Sequence, residues 1–188
     1  GAEILNQLPK KAKRVIEIET GRGCAVGKCS FCTEPIKSRF TNRKMEDVLE
    51  EVKAYYKAGA RFFRLGKQAD FYASDRPIEL LQKITTECPD IEVLHIDNVN
   101  PNSVIKPKSN NYAGGEEITQ AIVKYCTAGN IAAFGVESFD AKVVKANLLN
   151  TAPLVAMKAI RIINRYGAQR GKNGLPCFLP GINIILGL

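Results

Sequence analysis

Apolar residues alternate with polar ones in short stretches, and nearly every such stretch is followed by an apolar set at helical spacing. This alternation limits the fold more than any other feature. Val15-Ile-Glu-Ile-Glu19 has the period-two pattern of a strand. Met45, Val48, Leu49, Val52, Tyr55 and Tyr56 recur at helical spacing, with Gly59 as the expected stop. The same pattern predicts a second strand over 61–65, a helix from Pro77 through Ile84 and a third strand over 91–96. A helix through Ile118, Ile122, Val123 and Cys126 and a fourth strand over 131–136 follow. Asp140 is placed to cap a short helix ending at Ala146, and Thr151 with Pro153 to open a longer one stopped by Gly167. Residues 182–186 read as a fifth strand.

Strands alternating with helices imply an α/β fold with a parallel sheet. A closed eight-stranded barrel typically takes about 250 residues, and this chain has 188. The expected architecture is therefore a partial (β/α) TIM-like barrel with about five parallel strands. Gly187-Leu188 leaves the last strand without a covering helix. The chain is read as an N-terminal lead-in, residues 1–13, followed by a C-terminally truncated core domain over residues 14–188. The polar stretch Asn98–Gly115 is long for a loop inside such a domain, and loops of that length commonly carry function.

Three cysteines fall within nine residues, Cys24, Cys29 and Cys32, spaced C-x4-C-x2-C on the loop after the first strand. In parallel α/β folds that loop lies on the ligand-binding face. Three thiolates on one cubane iron–sulfur cluster leave one iron open to an outside ligand, which points to chemistry rather than electron storage alone. Cys88, Cys126 and Cys177 are scattered singly and read as inert thiols. Reduced cysteine usage of this kind fits a cytoplasmic protein better than a disulfide scaffold. No apolar run reaches the length of a membrane span, so no membrane partner is expected.

On these residues the chain resembles the radical S-adenosylmethionine (SAM) superfamily, whose usual signature is C-x3-C-x2-C on the loop after the first barrel strand. Phe31 matches its aromatic residue before the last cysteine; one extra residue separates the first two cysteines here. Gly135-Val-Glu-Ser138 resembles a family segment whose polar residues contact the methionine part or ribose of SAM, and Gly187-Leu188 resembles the start of a later family turn. Leu65-Gly66-Lys67-Gln68 stands where the family often carries Gly-Gly-Glu, which binds the methionine amino group. Gln68 can accept a hydrogen bond from that ammonium but supplies no charge.

The resemblance implies a truncated radical SAM core. Cys24, Cys29 and Cys32 would hold a [4Fe–4S] cluster, and Phe31, Gly66, Gln68, Asp97, Asn98, Glu137 and Ser138 would contact SAM. An external electron donor would drive reductive cleavage of SAM to a 5′-deoxyadenosyl radical, with no catalytic side chain beyond the cluster ligands. Arg22 and Lys28 stand close enough in sequence to offset the cluster's charge. Three segments, 95–101, 147–151 and 170–176, are similar to an archaeal radical SAM group whose full-length members carry a C-terminal helix-hairpin-helix, a module outside this chain.

Two rivals stand beside this reading. The cysteines form a zinc site completed by His95, the only histidine, in a nucleic-acid-binding module; or they hold a closed cluster in an electron-transfer domain. The charge bears on the partner. Residues 1–67 hold 15 Lys and Arg against 8 Asp and Glu, most of the net +8. Such an excess is either a solvated basic face or a field for a nucleic acid backbone, with RNA as the partner the subgroup suggests. Lys10, Lys11, Lys13 and Arg14 are its N-terminal part.

Overall fold

The computed structural model describes residues 14–188, so Lys10, Lys11, Lys13 and the lead-in fall outside the described residues. Five parallel strand paths carry the sheet. Strand β1 (Val15–Glu19) pairs with β4 (Phe62–Gly66), and β4 pairs with β5 (Val93–Ile96). Strand β6 (Asn98–Val99) pairs with β7 (Asn130–Glu137), and β7 with β8 (Phe178–Ile184). Strands β5 and β6 are one path interrupted at Asp97. The Asp97 N–H donates to Leu65 O at 3.1 Å, while its carbonyl accepts from the Ala133 N–H at 3.4 Å. One strand path thus serves both neighbours, and the sheet is continuous in the order β1, β4, β5/β6, β7, β8.

Period-two alternation explains which face is buried. Ile18, Phe63, Leu65, Leu94, Ile96, Ala132, Phe134, Val136 and Phe178 are buried on one face. Against them pack the apolar stripes of helices α2 (Met45–Lys57), α3 (Pro77–Glu87), α5 (Gly115–Tyr125) and α7 (Pro153–Gly167). Each large apolar side chain enclosed there contributes about 1.5–3 kcal/mol. The opposite face carries Glu17, Arg64, Asp97, Gly135 and Glu137, all at least partly open to solvent. A parallel sheet with only one apolar face is what an incomplete barrel leaves.

The strands expected from the sequence all form, with shifted ends. The fifth begins at Phe178 rather than Ile182 and stops at Ile184, because Phe178 supplies its one fully buried side chain. Gly59 does end α2, at φ +94°, a conformation that side chains resist. Gly167, expected beyond its helix, is instead the last residue of α7. It packs against the carbonyl of Phe178, where any Cβ would collide. Thr151 does not cap α7 either: Ala152 is the cap position, and the Thr151 hydroxyl is buried with no hydrogen-bond partner.

The 98–115 stretch is less irregular than expected. It starts as β6, continues as the one-turn helix α4 (Pro101–Val104), and only then becomes a loop. Asn100 caps α4 by accepting from the Asn102 N–H at 3.0 Å. The sequence also gave no sign of a small ribbon in which β2 (Gly21–Arg22) pairs antiparallel with β3 (Thr41–Asn42). Among the described residues, no helix is long and apolar enough to cross a membrane.

Candidate functional site

The register aligns the C-terminal strand ends: Glu19 lies opposite Gly66, Leu65 opposite Ile96 and Val99 opposite Phe134. Segments that leave these strands therefore emerge along one edge of the sheet.

The cysteine loop is the long connection of the β2–β3 ribbon and includes the one-turn helix α1 (Glu34–Lys37). Its base is pinned. The Arg43 N–H donates to Thr20 O at 3.0 Å, and the Arg43 guanidinium bridges Glu19 O (2.8 Å) and the Glu51 carboxylate (2.6 Å). Thr20 and Ser74 share a buried hydroxyl–hydroxyl bond of 2.9 Å. Arg22 pairs with Glu19 at 2.5 Å. Within the loop, the Cys32 N–H donates to Cys29 O at 3.1 Å, and all three cysteines are half-buried free thiols.

Burial pushes the Cys29 thiol up, and negative charge on Cys32, Cys24 and Glu137 adds to the rise; a hydrogen bond from the Asn150 backbone N–H works against it. These groups therefore share one small region.

The other expected residues divide into two groups. Gln68 is buried at 6 % exposure; its amide donates to Leu65 O at 3.1 Å, and its Oε1 has no partner. Asn98 lies in β6 rather than forming a turn, and its side chain donates to Gln68 O at 2.8 Å. At Gly66 a Cβ would lie 2.8 Å from Glu17 Oε1. Glu137 ends β7 at a register break with φ +65°; burial raises its carboxyl pKa, and it makes no ion pair among the described residues.

Asp97 and Ser138 are otherwise engaged. Asp97 pairs with Arg64 on the open face of the sheet, and the Ser138 hydroxyl accepts from the Asp140 N–H at 3.1 Å. Phe31 stays 42 % exposed. Two more residues beside the site have side chains in the left-handed region, Lys67 at φ +64° and Leu148 at φ +52°.

His95 does not join the cysteines. Its ring packs 4.0 Å from the Cβ position of Gly129, at the N-terminal start of β7. Its pKa is lowered first by burial, against the carbonyls of Ala128 and Thr127. Among the described residues, no three His, Cys, Asp or Glu side chains gather as a single ion requires. A cubane spans more space than one ion and takes its thiolates from further apart. The donor set fits such a cluster: three free thiols on one loop, each partly buried. The unpartnered Gln68 Oε1 is a buried acceptor of the kind an ammonium group satisfies.

Sequence reasoning missed Asp70. Its carboxylate accepts from the Ser103 hydroxyl (2.5 Å), the Asn100 N–H (3.0 Å) and the Tyr72 N–H (3.2 Å). Burial nonetheless raises its pKa from 3.8 to about 6. The folded state then keeps a proton that the unfolded chain has released. The associated stability is complete below pH 3.8 and is lost as the pH rises through about 6. We expect the wild-type unfolding free energy, measured against Asp70→Asn by urea titration, to fall by up to about 3 kcal/mol across that window. Parallel profiles for the two proteins would refute the assignment.

The comparisons agree with this geometry. The sequence profile of the Radical SAM superfamily matches residues 18–184. An uncharacterized protein of Archaeoglobus fulgidus is 45% identical over 200 residues, spanning 100% of this chain and 37% of its own length. One from Methanocaldococcus jannaschii is 40% identical over 206 residues, again spanning 100% of this chain and 37% of its own length. The chain thus spans little more than a third of these relatives. Among solved structures, the apo form of the cobalamin-dependent S-adenosylmethionine radical enzyme OxsB superposes with a TM-score of 0.67 at 20% identity, over 98% of this chain and 25% of that one. At that identity the likeness shows the fold alone. With a profile match running from β1 to β8 and three cysteines on the loop that follows the first strand, the chain belongs to the radical SAM superfamily.

Proposed function

We propose that this chain forms the cluster- and SAM-binding core of a radical SAM enzyme, with Cys24, Cys29 and Cys32 as ligands of a [4Fe–4S] cluster. The observation that carries this reading is the placement of three half-buried free thiols on the one loop that follows the first strand of a parallel sheet, inside the matched family profile. When bound and reduced by an external donor, the cluster supplies one electron for reductive cleavage of SAM.

The chain's own residues then have separable tasks. Gln68 presents its free Oε1 to the methionine ammonium, and Asn98 fixes the Gln68 backbone. Gly66, whose lack of a Cβ lets the Glu17 side chain lie against its backbone, meets the ligand through its main chain. Glu137, short of a cation, offers its carboxylate to ligand hydroxyl or amino groups, and Ser138 shapes the turn beside it. Phe31 covers the loop between the second and third cysteines and limits water at the site. The Arg64–Asp97 pair lines the open face, where a polar substrate meets SAM.

The test is the electron paramagnetic resonance spectrum of the reduced, reconstituted protein with and without SAM. A SAM-dependent change of line shape is expected, and Gln68→Ala should need roughly tenfold more SAM to produce it, because a charged donor loses its acceptor. Gln68→Glu should restore or tighten the response. A spectrum indifferent to SAM would transfer the chain to the electron-carrier reading. No structural observation favours RNA as substrate, because three of the four basic residues singled out for that role lie outside the described residues.

A further inference from the structure

Asparagines are concentrated in two segments far apart in sequence: Asn98, Asn100 and Asn102 after β5, and Asn147 and Asn150 after α6 (Ala141–Ala146). The fold brings the segments together. The Asn150 side-chain amide donates to Asn100 Oδ1 at 2.8 Å, and the Asn102 amide donates to Asn150 O at 3.1 Å. From Asn100 the path continues inward, since its N–H donates to Asp70 Oδ1 at 3.0 Å, while Ser103 holds the other carboxylate oxygen.

The path also runs outward to the cysteine loop. The Ser30 N–H donates to Asn147 O at 3.0 Å, and the Ser30 hydroxyl donates to Asn147 Oδ1 at 2.9 Å. Loops following β1, β4, β6 and β7 are thereby tied into one hydrogen-bonded unit.

The need for such a unit is physical. Helices α1 and α6, which flank the cysteine loop, have no buried residue. Apolar packing therefore does not hold the loop, and polar contacts must. Asparagine suits the task because one short side chain offers both a donor and an acceptor without charge. Asp70 adds an anionic acceptor, and hydrogen bonds to a charged group are the stronger kind.

We propose that Asp70, Asn100 and Asn150 form a positioning relay that holds the cysteine loop through the Asn147–Ser30 contacts, and so fixes where Cys29, the residue before Ser30, stands. The inference rests on the reading of Cys29 as a cluster ligand. Hydrogen bonds to cluster sulfurs tune the reduction potential. Displacing the Cys29 thiolate changes those bonds and the burial around it, and so shifts the potential. None of the three is a catalytic residue, because each acts through the position of another group.

Two measurements test the relay. The first is amide hydrogen exchange in the metal-free protein, comparing wild type with Asp70→Asn, Asn150→Ala and Asn173→Ala. Asp70 contacts neither cysteine nor the 147–151 segment, so any effect there is transmitted. Asn173, whose amide donates to Ala128 O at 3.0 Å, is a control near the start of β7. Exchange at the Ser30 and Asn150 amides should be roughly tenfold faster in Asp70→Asn and Asn150→Ala, and unchanged in Asn173→Ala. If Asp70→Asn does not fold, Asn150→Ala carries the same expectation.

The second is the midpoint potential of the reconstituted cluster, which should be shifted in both relay variants at an iron content equal to wild type. A purely structural role would lower thermal stability and leave the potential alone, and that result would overturn the relay. Unchanged exchange at Ser30 and Asn150 would overturn it as well. Failure of the wild type to take up iron would strike the cluster reading instead, and the exchange experiment would still decide whether the brace exists.

Discussion

After anaerobic reconstitution with iron and sulfide the protein should be brown and hold about four irons per chain, whereas replacing Cys24, Cys29 and Cys32 together with alanine should abolish both iron and colour. The expected effect is all-or-none, because the donor set lies on one loop and the described residues gather no substitute. Cys88 is buried in the apolar core, the Cys126 thiol is pushed up by burial, and His95 faces the start of β7. Cys88→Ala should accordingly keep its full iron content. Colorimetric iron and sulfide determination with visible spectra checks both proteins. Stoichiometric zinc without iron uptake would falsify the cluster assignment.

Truncation of Phe134 to alanine should lower the unfolding free energy by about 3–5 kcal/mol, the range for a large aromatic lost from a packed core. Phe134 is fully buried on β7, paired with Val99 on one side and Ile182 on the other. It lies three residues before Glu137, yet on the helix-facing side of the sheet. Its loss therefore weakens the layer that supports the site without touching the site's polar groups. Equilibrium urea unfolding of wild type and Phe134→Ala provides the comparison. A loss under about 1 kcal/mol, the level typical of a surface substitution, would mean that β7 does not bear on the core as described.

Much of the fold was legible because burial on one face imposes period two on every strand. Ile16 and Ile18, Phe63 and Leu65, and Leu94 and Ile96 all obey it. Helix ends were less legible where tertiary contact overrode local signals. Thr151 has an N-cap side chain but is buried, and Gly167 stays helical because Phe178 allows no side chain there. The β2–β3 ribbon and α4 were hidden because two- to four-residue elements have no period to detect.

The site divides in the same manner. The cysteine spacing announces itself in one dimension, since its ligands are neighbours. Asp70, Asn100 and Asn150 do not, because their joint role exists only once three loops have converged. The segments 95–101 and 147–151 drew notice as motifs, but nothing in either indicates that one holds the other. Glu137 lay between these cases. Its position at a strand end was predictable, whereas its positive φ and missing cation were not.

The left-handed backbone at Lys67, Glu137 and Leu148 has a consequence for how this chain can change. Side-chain-bearing residues in that region cost roughly 1–2 kcal/mol each, and glycine would remove most of the cost. All three border the site, and two lie directly beside residues assigned to ligand contact or on one of them. Here robustness and chemistry pull in opposite directions. Selection for heat resistance alone would drift these positions toward glycine and erase the rim's side chains while the sheet grew sturdier. The apolar layer beneath therefore acts as a reserve of stability that lets the rim remain strained.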